Sequence, residues 1–165
     1  MAELAGTYFT SHGPATIADF ATWAGLTLAD ARAGLETASS SLVLERYDGK
    51  EYWRSDDAMD APHDASSVYL LPGFDEYLLG YKDRSDVLAT EHAGKVAPGG
   101  NGVFFPIIVV GGQVVGTWKR TVKKDAVAVT ITPFTDVAVS SERIVEAAQR
   151  YSDFVGLALS STHVT

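Results

Sequence analysis

The sequence predicts an α+β protein, with an N-terminal winged helix followed by a β-rich domain that has an antiparallel sheet and a C-terminal covering helix. Three observations predict this class. Two helix-start patterns and a hairpin signal fill the first third of the chain, an acidic stretch without periodicity follows, and three strand-like runs precede one amphipathic helix. We expect a winged helix at residues 1–55, a linker at 56–66 and the β-rich domain at 67–165.

The helices of the first third are marked by spacing and by caps. Leu4, Tyr8 and Phe9 mark a short helix that ends at residues 12–14 (HGP). Thr16 is followed three residues later by a carboxylate, the pattern of a helix N-cap, and residues 27–30 (TLAD) repeat it. A glycine turn at residues 24–26 joins the two capped helices, and Leu28, Ala31, Leu35 and Ala38 share one face of the third. This arrangement is typical of a helix-turn-helix.

Two strands complete the winged helix. Residues 42–47 and 50–54 flank Asp48-Gly49, a strong signal for a two-residue hairpin. The third helix, at residues 28–38, offers only Arg32 against Asp30 and Glu36, and residues 1–55 hold four basic and seven acidic residues, a net charge of −3. A DNA-reading helix needs side chains that donate to bases and phosphates. Both a DNA-binding role and a scaffold or protein-contact role therefore remain open for this module.

An elbow at residues 70–85 follows the acidic linker. Gly73 allows a sharp turn, and Asp75 is placed to cap a short helix at residues 76–81. Dense charge and aromatic content after a turn favours a functional site, while a purely structural elbow predicts the same residues. The elbow and the glycine-rich loop at 98–102 supply the candidates for a pocket, with Trp118 expected beside them. The candidates are Phe74, Asp75, Glu76, Tyr77, Tyr81 and Asn101.

Three strands and a helix follow. The glycine-rich loop leads into a strand and not into a helix, so it predicts a turn and not a phosphate loop. Residues 103–110 and 113–122 are strands joined by Gly111-Gly112, and residues 126–132 form the third. A final helix begins near Ser140 and ends at Gly156, and the tail to Thr165 is expected to be loose. Its apolar stripe is Ile144, Ala147, Ala148, Tyr151, Phe154 and Val155.

The basic cluster of the chain lies at residues 118–124 (WKRTVKK). Aromatic and basic side chains together suit phosphate contact and base stacking, whereas a charged edge strand that blocks unwanted pairing has the same composition. DNA, if bound, is expected to contact Arg32, Lys50, Arg54, Lys82, Arg84, Trp118, Lys119 and Arg120.

Composition excludes several function classes. The 165 residues include no cysteine, which removes disulfides, thiol catalysis and cysteine-based zinc sites, and the net charge of −8 weighs against general nucleic-acid binding by the whole surface. The four histidines are scattered, and neither a metal-binding spacing nor a nucleophile elbow is present. We expect no catalytic residues, no metal and no cofactor. With no apolar run near ~20 residues and no basic leader, we also expect a cytoplasmic protein without membrane contact.

Four segments carry a family resemblance, in this order: residues 12–20 (HGPATIADF), 71–84 (LPGFDEYLLGYKDR), 101–104 (NGVF) and 115–120 (VGTWKR). The chain resembles, over nearly its whole length, the C-terminal half of the winged-helix DNA-binding proteins related to the AlkZ-like (YcaQ-like) DNA glycosylases. The resemblance implies tandem winged helices followed by a β-rich domain, wrapped around duplex DNA. It also implies excision of alkylated bases, including crosslinked ones.

One departure from the family pattern affects the expected activity. The family's catalytic Gln-x-Gln pair is absent, since Gln113 and Gln149 are the only glutamines. The sequence therefore predicts a DNA-binding module of a glycosylase-like protein without catalytic residues of its own, whose partners are DNA and a missing N-terminal partner region. The alternatives are a protein-interaction or assembly module that forms a homodimer without nucleic-acid binding, and a small-molecule binder or enzyme with a pocket at the elbow.

Overall fold

The computed structural model describes residues 1–57, 64–100, 102–135 and 140–165. Its α+β architecture confirms the fold class expected from the sequence. In chain order the elements are α1 (Ala2–His12), α2 (Ile17–Ala24), α3 (Leu28–Ala38), β1 (Leu42–Tyr47), β2 (Lys50–Ser55), β3 (Val68–Leu71), α4 (Glu76–Leu79), α5 (Ala93–Val96), β4 (Ile107–Val110), β5 (Gln113–Lys123), β6 (Ala126–Pro133), α6 (Ser141–Val155) and β7 (Ala158–Val164).

The chain forms two compact units, and neither is continuous in sequence. The first unit contains Met1–Ala61 and Glu76–Arg84, and the second contains Pro62–Asp75 and Ser85–Thr165. The sequence-based boundary assigned all of residues 67–165 to one domain. Residues 76–84 group instead with the N-terminal helices, to which they are joined by hydrogen bonds from Tyr8 to Gly80, from Tyr81 to His12 and from the Lys82 amide to Asp19.

Both predicted helix caps are present in the first unit. The Thr16 hydroxyl accepts a hydrogen bond from the Asp19 amide, and the Asp19 carboxylate accepts one from the Thr16 amide, so that α2 begins with a complete capping box. The Thr27 hydroxyl accepts from the Asp30 amide at the start of α3. Gly25, at the end of α2, adopts the left-handed conformation with a φ of 66°.

A hairpin and an aromatic core complete the first unit. β1 and β2 pair antiparallel around Asp48-Gly49, whose φ angles of 47° and 74° are those of a type I′ turn. The core contains Tyr8, Phe9 and Phe20, all fully buried. From the predicted face of α3, Ala31, Leu35 and Ala38 pack into this core, while Leu28, the first residue of the helix, is 50% exposed and lies outside it.

The second unit is a five-stranded sheet with the order β3-β4-β5-β6-β7. The three strands expected from the sequence pair antiparallel, as does β3 with β4, and the sheet is extended by β7, which lies parallel to β6. The expectation of a loose tail is wrong, because residues 158–164 form β7 and the Thr165 amide donates to the Ile131 carbonyl at 2.9 Å. α6 lies between β6 and β7 in the chain, and such a crossover returns the chain in the parallel direction.

Two elements of the second unit are shorter or differently built than expected. β4 covers only Ile107–Val110, since Pro106 before it has no amide hydrogen to continue the ladder. At the elbow, the positive φ of 62° belongs to Phe74, and not to Gly73. Gly73 is required for a different reason: a Cβ there would lie 2.8 Å from the Phe104 carbonyl oxygen. The helix that follows the elbow, predicted over 76–81, is α4 and ends at Leu79.

α6 covers one face of the sheet, as expected. Ile144, Ala147 and Ala148 are buried in a core cluster with Trp118 and Ile131 of the sheet. Gly156, with a φ of 70°, ends the helix. The predicted stripe extends too far, because Phe154 is 86% exposed at the last turn.

Candidate nucleic-acid interface

Asp19 is a buried carboxylate that holds the elbow segment in the first unit. Only 4% of its surface is exposed. Its Oδ2 accepts from the Thr16 amide at 2.8 Å and from the Thr16 hydroxyl at 2.6 Å, and its Oδ1 accepts from the Lys82 amide at 2.8 Å and the Asp83 amide at 3.4 Å. A buried carboxylate needs this many donors to offset the loss of water. Asp19 therefore serves as both helix cap and anchor.

Two tyrosines anchor the same segment. The Tyr8 hydroxyl donates to the Gly80 carbonyl at 2.6 Å, and the Tyr81 hydroxyl donates to the His12 carbonyl at 2.8 Å. Burial, with the nearby Asp19 carboxylate as the second cause, raises the pKa of both hydroxyls above the ordinary tyrosine value. Both hydroxyls stay protonated and serve as structural donors.

Glu76 is the exposed end of an aromatic cluster. Its Oε2 lies 3.2 Å from the His12 Nε2 and accepts from the Trp23 Nε1 at 3.1 Å. The His12 ring stacks on Tyr8 with a centroid distance of 4.7 Å and an interplanar angle of 10°. These contacts position the carboxylate at the surface of the first unit.

The six elbow candidates are divided by the fold. Glu76, Tyr77 and Tyr81 belong to the first unit, while Phe74 and Asp75 belong to the second. Asn101 lies outside the described residues. Within the first unit, the contacts given above for Glu76 and Tyr81 are those of a structural elbow.

Most basic side chains of the first unit are already engaged. Lys50 Nζ lies 2.8 Å from Asp83 Oδ2, and Arg54 Nε lies 2.6 Å from Glu45 Oε1. Arg84 Nε donates to the Leu78 carbonyl at 2.5 Å, and burial lowers the pKa of its guanidinium. Of the remaining sequence candidates in this unit, Lys82 is exposed. Arg32 is exposed as well and lines an open groove of about 340 Å³ that also contains Glu36 and Glu51.

The basic segment, residues 119–124, presents its cations to solvent. Lys119, Arg120, Lys123 and Lys124 are all exposed, and among the described residues none of them lies in an ion pair with a carboxylate. The Arg120 guanidinium lies 6.0 Å from the centroid of the Tyr151 ring, within the range of a cation–π contact. The second unit therefore has a strand end whose positive charge is available to a ligand.

Trp118, the aromatic member of the predicted cluster, is a core residue. It is 3% exposed and donates from Nε1 to the Leu71 carbonyl at 2.8 Å. Its ring meets the Tyr151 ring edge-on, with 4.9 Å between the ring centroids. In this environment the Trp118 ring packs in the core of the second unit and does not offer a face for base stacking.

The basic segment is also a sheet edge on one side. β5 pairs with β4 only from Gln113 to Thr117, and the last contact on that side is the Trp118 amide donating to the Pro106 carbonyl at 3.1 Å. On the other side, β6 pairs with β5 from Gly116 to the last residue of β5, Lys123. No described strand lies beside residues 119–123 on the β4 side. The edge-strand interpretation therefore holds for this half of β5, while the first half is internal.

Two open grooves border this edge. The edge groove, of about 440 Å³, is lined by Pro72, Phe105, Pro106, Lys119 and Arg120 among others. The helix groove, of about 660 Å³, lies against α6. Its lining includes Tyr69, Arg120, Val122, Tyr151 and Phe154. The sequence indicates the cations of these grooves but not their aromatic residues Tyr69, Phe105 and Phe154. Helical spacing alone places Phe154 in the apolar stripe of α6, whereas its side chain is exposed.

Two further properties bear on function. Within the described ranges, no group of three or more histidine, aspartate or glutamate side chains is arranged to hold a metal ion. None of the helices in the same ranges combines the length and apolar character that a membrane crossing requires.

Comparison with known proteins gives one consistent result. The family model described as DNA glycosylase AlkZ-like matches residues 1–154. A curated relative, the interstrand DNA cross-link repair glycosylase of Streptomyces sahachiroi, is 31% identical over 136 residues, covering 78% of this chain and 35% of the relative. The solved structure of the Streptomyces sahachiroi DNA glycosylase AlkZ is similar with a TM-score of 0.81 and 28% identity, covering 99% of this chain and 46% of that one. The chain thus spans less than half the length of either relative.

Proposed function

The chain belongs to the AlkZ-like DNA glycosylase family, and from this premise we propose that it is a winged-helix DNA-binding module of a DNA-repair protein. The first unit is the winged helix of this proposal, built from α1, α2, α3 and the β1–β2 hairpin. The second unit supplies the principal contact with the DNA backbone through the basic segment.

One observation carries the proposal: the basic segment, at and just after the end of β5, exposes four cations without a carboxylate partner among the described residues. Binding to DNA gains free energy when lysine and arginine side chains replace condensed counterions on the phosphates. A cation already paired with a carboxylate must first give up that partner. Lys119 and Arg120 are therefore stronger candidates for phosphate contact than Lys50, Arg54 or Arg84.

The winged helix has a supporting role in this proposal. Its third helix exposes Arg32 beside Glu36, and its hairpin cations are paired with carboxylates. An acidic recognition helix repels the phosphate backbone, so base reading by α3 is disfavoured.

We further propose that this chain contributes no catalytic residue of its own. The Gln-x-Gln pair of the family is absent from the sequence, and the two exposed carboxylates of the elbow are both engaged: the Glu76 Oε2 by His12 and Trp23, and the Asp83 Oδ2 by Lys50. Excision of a base by this chain alone is not expected.

A titration of a labelled duplex by fluorescence anisotropy, at about 50 mM and about 200 mM salt, tests the proposal. We expect binding that weakens steeply with salt and falls at least roughly tenfold in the Lys119→Ala/Arg120→Ala double variant, with a salt slope lower by about two. The matched control, Arg46→Ala/Arg143→Ala, removes the same charge from two ion-paired positions and should bind like the parent chain.

Two results would contradict the proposal. One is the absence of duplex binding at low salt, where backbone contacts are strongest. The other is an equal loss in the test and control variants, which would show that only total charge matters. A base-release assay on an alkylated duplex completes the experiment, and measurable release by this chain would overturn the assignment of no catalytic residue.

A further inference from the structure

We propose that the edge of β5 and its two grooves bind unpaired nucleotides, so that this face of the second unit prefers a single strand to a duplex. The inference rests on the proposed function, because it names the form of nucleic acid that the basic segment takes. It is carried by three features. Residues 119–123 have a free strand edge and cations on both faces, and exposed aromatic rings line the two grooves beside them.

The free edge supplies hydrogen-bonding groups of both kinds. The Trp118 amide points toward β4, and backbone groups alternate in direction along a strand, so the amides and carbonyls of Arg120 and Val122 point the same way, beyond the end of β4. Phosphate oxygens only accept hydrogen bonds. Base edges both donate and accept, and therefore match a strand edge better than a phosphate backbone does.

The cations lie on both faces of the strand end. Side chains alternate along β5, so Lys119 and Lys123 share one face, while Arg120 lies on the other with Trp118 and contacts Tyr151 of α6. A single strand running along the edge would pass between these side chains and meet positive charge from either side. A rigid duplex is too wide to pass between these side chains, so it would meet them only from outside the edge.

The exposed rings complete the site. Tyr69 and Phe154 line the helix groove and are 52% and 86% exposed, and Phe105 lines the edge groove and is 40% exposed. Each groove has a volume typical of ligand sites, which measure about 300–1,000 Å³. Proteins that bind single strands combine a basic path with aromatic rings on which the bases stack. In a duplex those base faces are covered by neighbouring bases, so the rings can be used only when nucleotides are unpaired.

An oligonucleotide of about 15 nucleotides, single-stranded or annealed to its complement, tests the proposal by fluorescence anisotropy with the full chain. We expect tighter binding of the single strand. Phe154→Ala should weaken single-strand binding roughly tenfold and change duplex binding less than roughly twofold, since stacking on one ring is worth that much. Because Phe154 is 86% exposed, its replacement should leave the fold intact, and far-ultraviolet circular dichroism would check this. Val145→Ala, at a 47% exposed position of the same helix outside the groove, is the control and should change neither.

The outcomes separate this inference from the proposed function. Duplex binding that equals or exceeds single-strand binding, with no effect of Phe154→Ala, overturns the inference and leaves the proposed function standing. Absence of binding to either form at low salt overturns both. A polyglutamate peptide that binds at this edge while the single strand does not would identify a peptide site, which also overturns the inference. Loss of binding in Lys119→Ala/Lys123→Ala for the single strand, together with the Phe154→Ala result, supports it.

Discussion

The two units of this chain use their charged side chains in opposite ways. The first unit holds six lysines and arginines against twelve aspartates and glutamates, and four of the six are engaged within the unit: Arg46, Lys50 and Arg54 pair with carboxylates, and Arg84 donates to a carbonyl. The second unit has seven basic residues against nine acidic ones, and four of the seven lie in one exposed segment without a carboxylate partner among the described residues.

This difference shows why total charge is a poor guide to ligand binding. The net charge of −8 argues against nucleic acid for the whole molecule, yet the charge that opposes binding is concentrated in one unit. Local availability of cations decides whether a surface can replace counterions on a phosphate backbone. The comparison therefore predicts that charge removal will mainly affect stability in the first unit and ligand binding in the second.

The largest expected effect tests the structural use of charge in the first unit. Asp19→Ala removes a buried carboxylate that accepts four hydrogen bonds, and should lower the free energy of unfolding by about 3 kcal/mol. Asp30→Ala is the matched control, because Asp30 lies three residues after Thr27 as Asp19 does after Thr16, but is exposed. It should lower the free energy of unfolding by less than about 1 kcal/mol. Urea unfolding measures both. Equal losses would show that Asp19 acts only as a cap.

A smaller effect concerns the tyrosine anchors. Tyr8→Phe removes the buried donor to the Gly80 carbonyl and should cost about 1–2 kcal/mol near neutral pH. Because the pKa of Tyr8 is raised in the folded state, its contribution is complete below pH about 10, the unfolded value, and decreases as the pH rises above it. The parent chain should therefore lose melting temperature above pH about 10 more steeply than Tyr8→Phe. An identical slope in both chains would contradict this, and Tyr47→Phe, at a 75% exposed position, is the control.

The smallest effect makes the comparison between the units direct. Lys50→Ala breaks an exposed ion pair and Lys123→Ala removes a cation that lies in none, so each should change the free energy of unfolding by less than about 1 kcal/mol. Duplex binding should distinguish them. We expect Lys123→Ala to lower the salt slope by about one, and Lys50→Ala to leave it unchanged. A larger loss of binding from Lys50→Ala would shift the proposed interface to the first unit.

Local features of the fold could be predicted from the sequence, because each depends on a few neighbouring residues. The caps at Thr16 and Thr27 and the turns at Asp48-Gly49 and Gly111-Gly112 are read directly from residue type and spacing. β7 could not be found in this way. Its sequence (ALSSTHV) mixes apolar and polar residues without a clear strand pattern, and its strand conformation depends on pairing with β6, about 30 residues earlier in the chain.

The candidate site was predictable in charge but not in geometry. The cluster of cations is visible in the sequence, whereas the late start of β4 at Ile107, which leaves residues 119–123 without a neighbour on one side, depends on the pairing register of three strands. The same limit applies to Trp118 and Phe154, which helical and strand spacing place equally well in a core or at a surface. Only packing makes the first buried and the second exposed.

The discontinuity of the first unit has a consequence for how the chain can be divided. Since Glu76–Arg84 belongs with Met1–Ala61, a cut anywhere in the acidic stretch at 56–66 would separate Asp19 from the amides of Lys82 and Asp83. An expressed fragment ending there would contain three helices and a hairpin. It would lack residues 76–84, which are held by Tyr8 and Asp19 and whose own Tyr81 donates to the His12 carbonyl. Recombination between related genes at the same point would exchange half of a unit, so the two units are expected to be inherited, and must be expressed, as one piece.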